Sequence, residues 1–187
     1  VLIVVFGSIA AYNGWHWWQK HQAHQAAAMY DELERAAQER NMERVQRALA
    51  DIQDRYPRTT QAQQGALVAA QAMQQAGQAE PAQKALAWVV DKASAKGYEA
   101  TARLRLAALL MDAKSYDEAL KQLGGSMPAS FAPLAADRRG DIYKLQGKKT
   151  EAIAEYQKAV AGLQEGTEYR PLVEVKLASV GVEVSTS

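Results

Sequence analysis

The feature that most constrains this chain is a twelve-residue step between two small or apolar positions, repeated four times. It runs from Gly140 to Ala152 (152 − 140 = 12), from Ala107 to Ala119, from Ala70 to Ala82 and, in a weaker copy, from Leu33 to Val45. Larger residues recur at fixed offsets from each step. They are Tyr143 and Tyr156 in the last copy, Leu110 and Leu123 in the third, Met73 and Leu86 in the second, and Ala36, Leu49 and Ile52 in the first. Residues three or four apart share one face of a helix, and Gly147 sits between the two halves of the last copy as a helix C-terminus signal. Each copy therefore reads as two short helices that approach closely at the small positions. The copies start 37, 37 and 33 residues apart (70 − 33, 107 − 70, 140 − 107). One such pair cannot bury its apolar face alone, whereas stacked neighbours can.

This alternation of small and large residues resembles the tetratricopeptide repeat, a helix–turn–helix unit of about 34 residues. It predicts an all-α fold. The expected architecture is an N-terminal transmembrane helix, then a tetratricopeptide-repeat superhelix of about four repeats, then a C-terminal capping helix. Composition agrees: Ala and Gln are abundant, and only five Pro occur in 187 residues. The net charge of +1 gives no bulk field for nucleic acid. Cysteine is absent, which excludes disulfides, thiol catalysis and thiolate metal sites.

Taken in order, residues 1–12 carry no charge, and the first fixed charge is Lys20. Asn13 and Gly14 interrupt the apolar run, and Trp15, His16, Trp17 and Trp18 follow. A helix needs about 20 apolar residues to cross a bilayer core, and Trp concentrates at the membrane–water interface. Residues 1–18 are therefore expected to form the exit half of a transmembrane helix, truncated at its N-terminus, with Trp15, Trp17 and Trp18 at the interface. A signal-peptide core ending at Ser8-Ile9-Ala10 and a buried soluble helix are the competing readings. The repeat domain is assigned to residues 19–181 and a flexible tail to 182–187. Neither Gly nor Pro occurs from Gln19 to Arg40, so the first repeat helix is expected to continue the membrane helix. Further helices are expected at Met42–Tyr56, Gln61–Ala76, Glu80–Ser94, Glu99–Ala113, Tyr116–Leu123, Ser130–Gln146, Lys148–Leu163 and Pro171–Val180, with Lys96-Gly97 as a loop.

No catalytic constellation is present, so the chain is not expected to be an enzyme, and no cofactor is implied. His21 and His24 lie three apart with no carboxylate before Asp31, which makes them interfacial polar residues rather than metal ligands. Asp137 and Asp141, with Arg138 and Arg139 beside them, read as a solvated or paired face. In repeats of this type the first helix of each pair lines a concave surface. That surface is expected to bind partners through Tyr30, Glu34, Leu67, Gln71, Leu104, Met111, Leu134 and Asp141. Its mixture of aliphatic, Met and Gln side chains suits loose contact with varied extended chains. It lacks the Lys–Asn pair of a carboxylate clamp.

The order of parts, with Gly14-Trp15-His16-Trp17-Trp18 after the apolar run, Arg103-Leu104-Arg105-Leu106-Ala107 in the array and Ala136-Asp137-Arg138-Arg139-Gly140-Asp141 opening the fourth pair, resembles the YfgM family of ancillary SecYEG translocon subunits. The resemblance covers nearly the whole chain. It implies a single-pass protein of the bacterial inner membrane with its repeat domain in the periplasm. Its implied partners are the SecYEG translocon, a membrane-anchored periplasmic chaperone of the prolyl-isomerase type, unfolded secreted chains and the lipid bilayer. The implied role is to help pass secreted chains to periplasmic chaperones. A scaffold of another envelope assembly and a stress-signalling regulator are the alternatives.

Overall fold

The structure is a computed structural model; it describes residues 2–125 and 127–182, and the side chains of these apart from 2–11, 15, 16 and 18–20. The described residues form helices and turns, with no strand. The helices are α1 (Leu2–Gln38), α2 (Met42–Arg55), α3 (Thr60–Gln75), α4 (Ala79–Lys92), α5 (Lys96–Asp112), α6 (Tyr116–Leu123), α7 (Ala132–Leu145), α8 (Lys149–Gly162) and α9 (Arg170–Ser179), with a short 3-10 turn at Ala129–Phe131. They fall into two compact units, Val1–Ser94 and Ala95–Ser187.

The first unit pairs α1 with α2 and α3 with α4, and packs α3 against both α1 and α2. The second pairs α5 with α6 and α7 with α8, and closes with α9 on α8. The eight residues of the four twelve-residue steps explain why. Leu33, Val45, Ala70, Ala82, Ala107, Ala119, Gly140 and Ala152 are all buried at the helix–helix contacts. Gly140 is the tightest of them. A Cβ placed there would lie 2.6 Å from Cδ1 of Tyr156, whose side chain is fully buried. Glycine is needed here for close approach, because real side chains do not pack at that distance.

The turns between paired helices repeat with the same period. Arg40, Gly77, Lys114 and Gly147 all have positive φ, at 54°, 74°, 59° and 73°. Each stands seven residues after its frame start (40 − 33, 77 − 70, 114 − 107, 147 − 140). The hydrogen bonds are those of a Schellman C-cap. In the third copy the N–H of Ser115 donates to the carbonyl of Leu110 at 2.8 Å, and that of Lys114 to Met111 at 2.9 Å. The equivalent pair in the fourth is Lys148 to Tyr143 and Gly147 to Lys144. Lys114 accepts the left-handed conformation at a steric cost of about 1–2 kcal/mol, part of which Gly would lose again as unfolded-chain entropy. Lys114→Gly is therefore expected to stabilise the protein by about 0.5–1 kcal/mol, read as a rise of about 1–4 °C in thermal melting.

Local signals set most boundaries. Asn41 caps α2 by accepting from the N–H of Arg44 at 3.1 Å, and Thr59 caps α3 by accepting from that of Ala62 at 3.3 Å. Pro81 and Pro171 stand in the first turns of α4 and α9, where a missing N–H costs little. One boundary differs from expectation. Lys96 and Gly97 are not a loop but the first residues of α5. The first turn of a helix needs no intrahelical acceptor for its N–H groups, so Gly97 is tolerated there, and Tyr98 and Glu99 already donate back to the Ala95 carbonyl.

α1 is one continuous helix of 37 residues, so the apolar N-terminal stretch runs into the first repeat helix without a break. Among the described residues no helix is long and apolar enough to cross a membrane. The side chains of 1–11 and of Trp15 and Trp18, on which the membrane expectation rests most heavily, lie outside the described residues. Trp17 is described: it is 68% exposed and stacks on His21 at 5.5 Å between ring centroids.

Candidate partner-binding face

In the first unit, helical spacing places Tyr30 and Glu34 on one face of α1, and Leu67 and Gln71 on one face of α3. The two faces meet. Glu34, Gln38, Val68, Gln71 and Gln75 line a shallow groove of about 240 Å³ between the helices. Gln71 is exposed and Glu34 half-buried, so both present polar atoms to it. Tyr30 is half-buried beside α3, with a ring carbon 3.7 Å from where a Cβ on Gly65 would stand, and its hydroxyl donates to Oε1 of Glu34 at 3.4 Å. Leu67 is buried, with 9% of its surface exposed.

In the second unit the face is largely taken up within the fold. Leu104 and Met111 of α5 pack onto a core of Ala107, Ala119, Leu123, Ala135 and Ile142. Leu134 is half-buried. Asp137, expected on a solvated or locally paired surface, has no exposed area at all. Its partners come from α9 and the turn before it rather than from the adjacent arginines. Nζ of Lys176 donates to both of its oxygens, at 2.9 and 2.8 Å, and the hydroxyl of Tyr169 donates at 2.5 Å. Asp141 accepts from the same Nζ at 2.8 Å and from the hydroxyl of Tyr156 at 2.8 Å; Arg138 stands at 3.7 Å. One ammonium thus bridges two carboxylates one helical turn apart. This cluster holds α9 across α7, and Asp141 is committed to it rather than open to a partner.

A second polar staple lies alongside. Arg139 donates to Glu155 of α8 at 2.7 Å and to the Leu123 carbonyl at the end of α6 at 2.9 Å. It satisfies an orphan helix-end carbonyl while pairing a largely buried carboxylate. In α5, Glu99 is held below the usual carboxylate range by its hydrogen bond to Lys96, with Arg103 adding to the effect.

The tyrosines of the cluster carry a pH dependence. Burial pushes the Tyr156 phenol up, and its hydrogen bond to Asp141 pushes further in the same direction. Burial and the hydrogen bond to Asp137 do the same for Tyr169. A phenol raised in the folded state stays protonated there after the unfolded chain begins to ionise, near pH 10. The unfolded state then binds fewer protons than the folded one, so stability falls as pH rises. The contribution is fully present below about pH 10 and lost above it. Urea unfolding between pH 8 and 11 is expected to show a loss of about 1–3 kcal/mol across the last unit or so, and Tyr156→Phe should flatten that slope.

Lys176 and Tyr169 were absent from the sequence-derived face. Their only signals are a lysine in the closing helix and a tyrosine just before it, 39 and 32 residues from the aspartate they serve. No local periodicity links such positions.

Residues 1–182 match the family model described as a tetratricopeptide repeat-like domain. An ancillary SecYEG translocon subunit of Neisseria gonorrhoeae (strain ATCC 700825 / FA 1090) is 31% identical over 173 residues, which is 90% of this chain and 83% of that protein. The four buried twelve-residue steps, the four left-handed turns in the same period and these two matches agree: the chain belongs to the tetratricopeptide repeat-like family, as a member of its YfgM branch.

Proposed function

We propose that the protein is a non-enzymatic, membrane-tethered adaptor that works beside the SecYEG translocon, with residues 1–18 in the inner membrane and residues 19–181 as a repeat domain in the periplasm; of the tail expected at 182–187, Val182 packs against the last core cluster and the rest lies outside the described residues. The observation that carries this reading is α1. A single helix joins the apolar N-terminal stretch to the first repeat pair, which would hold the repeats at the membrane surface with little freedom to swing. The relative's name supplies the translocon as the membrane partner. Tethering raises the local concentration of a binding face at the channel exit, so weak contacts suffice. Emerging secreted chains, and a membrane-anchored chaperone of the prolyl-isomerase type, are the proposed occupants of that face. In the first unit the groove between α1 and α3, lined by Glu34 and Gln71, is the open part of the proposed face; Tyr30 and Leu67 would shape it, and Leu104, Met111 and Leu134 would form a separate part of the face within the second unit.

Site-specific photocrosslinking in intact membranes tests this. Probes at Trp17 and Gln71, both exposed, leave the core unaltered. Crosslinks from Trp17 to the translocon and from Gln71 to chaperone or nascent chain are the expected result. Crosslinks confined to outer-membrane assembly factors or to cytoplasmic proteins would replace this reading with one of an envelope scaffold or a regulator.

A further inference from the structure

We propose that the open groove between α1 and the α2–α3 turn seats the phosphate headgroup of an anionic glycerophospholipid, so that the first repeat unit rests on the bilayer it is tethered to. This rests on the membrane reading of residues 1–18 given above.

The groove has a volume of about 570 Å³. Gln22 and Ala23 of α1 form one wall; Arg55, Arg58 and Thr60 stand on the other, around Pro57. Both arginines are exposed, and neither guanidinium is in an ion pair or hydrogen bond with any described residue. The neighbouring groove between α1 and α2 is different. It is also lined by two arginines, but Arg44 is held by Glu32 and Glu39, and Arg47 by Glu43. The fold therefore neutralises its guanidinium groups in one groove and leaves them unneutralised in the next. With Asp54 as the carboxylate among the lining residues, the second groove carries a net charge of +1 (two arginines less one aspartate).

Its position selects the ligand. Gln22 follows Trp17 by five residues of continuous helix, a rise of about 7.5 Å. An aromatic ring at the interface sits at headgroup level, and the headgroup layer on each side of a bilayer is about 5–7 Å deep. The groove therefore opens at the outer edge of that layer. Trp17 and Tyr12 are 68% and 65% exposed, as rings that face lipid would be. A planar guanidinium fork matches two oxygens of a phosphate. Pro57, with its fixed φ, sets the turn that holds the two forks on one side of the groove. The groove is open rather than enclosed, which suits a headgroup still attached to its bilayer better than a small ion captured from solution.

The test uses the full chain in mixed micelles and in vesicles. Native mass spectrometry of the wild-type protein with equal phosphatidylglycerol and phosphatidylcholine should show preferential retention of phosphatidylglycerol. The double variant Arg55→Gln/Arg58→Gln should lose about ten- to thirty-fold of that preference, while Arg47→Gln keeps it. Soluble glycerol phosphate at equal concentration should not compete. Equal retention of both lipids, equal selectivity in wild type and double variant, or full competition by glycerol phosphate would each overturn the proposal. So would displacement of the lipid by a soluble acidic peptide at equal concentration, which would assign the groove to a protein partner. Flotation separates this from the reading beneath it. A chain that floats with vesicles but shows no arginine-dependent selectivity sinks the headgroup seat alone. A chain that floats with no vesicle of any composition sinks the membrane anchor and the headgroup seat together.

Discussion

Asp137→Ala is expected to lower stability by about 3–5 kcal/mol, the cost of breaking a buried ion pair by removing one partner. The carboxylate has no exposed area and accepts from both Lys176 and Tyr169. Its removal leaves the Tyr169 hydroxyl without its acceptor and the Lys176 ammonium with Asp141 alone. Both donors belong to α9 or the residue before it, so the loss should appear first as detachment of α9. Hydrogen exchange of amides in 170–179 should accelerate before those of α7 and α8. The companion variant Asp137→Leu/Lys176→Met removes both charges and fills the space with apolar atoms; it should recover at least half of the loss, because apolar replacement of a buried pair is often near neutral. Urea unfolding of all three proteins decides the matter. If Asp137→Ala costs under 1 kcal/mol, water reaches the cluster and the pair does not hold α9.

Tyr156→Ala should cost a similar amount, about 3–5 kcal/mol, by cavity formation. Its ring is fully buried among Ala136, Ala152, Ala159, Val173 and Leu177 and lies against the bare backbone at Gly140. The reciprocal change, Gly140→Ala, pushes a methyl carbon to 2.6 Å from the ring and should cost about 1–3 kcal/mol by overpacking. The two positions are one contact, so their effects should not add. In a Tyr156→Leu background the Gly140→Ala change should be close to neutral, a coupling of about 1–3 kcal/mol. Independent, additive losses would mean that the α7–α8 spacing is set elsewhere, for instance by Arg139 and Glu155.

The coupled pair also shows what was legible without coordinates. A small residue and a large one at fixed offsets imply helix–helix contact, because helical periodicity alone decides which side chains share a face. For that reason the four helix pairs, their order, the capping helix and the burial of all eight step residues follow from the chain by itself. So does the turn position seven residues into each frame, although only Gly77 and Gly147 announce it; Arg40 and Lys114 adopt the same backbone because the flanking helices impose the Schellman geometry on them. Tertiary structure decided where the charges go. Local spacing assigned Asp137 and Asp141 to a solvated or paired face beside Arg138 and Arg139; Arg138 does stand near Asp141, but the ammonium that bridges both carboxylates comes from 35 to 39 residues away. It likewise turned Arg139 inward to Glu155, and set Arg55 and Arg58 opposite Gln22 in one groove. Apolar burial is short-ranged and periodic along a helix, so it is written in the sequence as a pattern. An ion pair needs only two groups brought together by packing, and the packing of α9 on α8, which carries Lys176 to Asp137 and Asp141 of α7, exists only once the chain has folded.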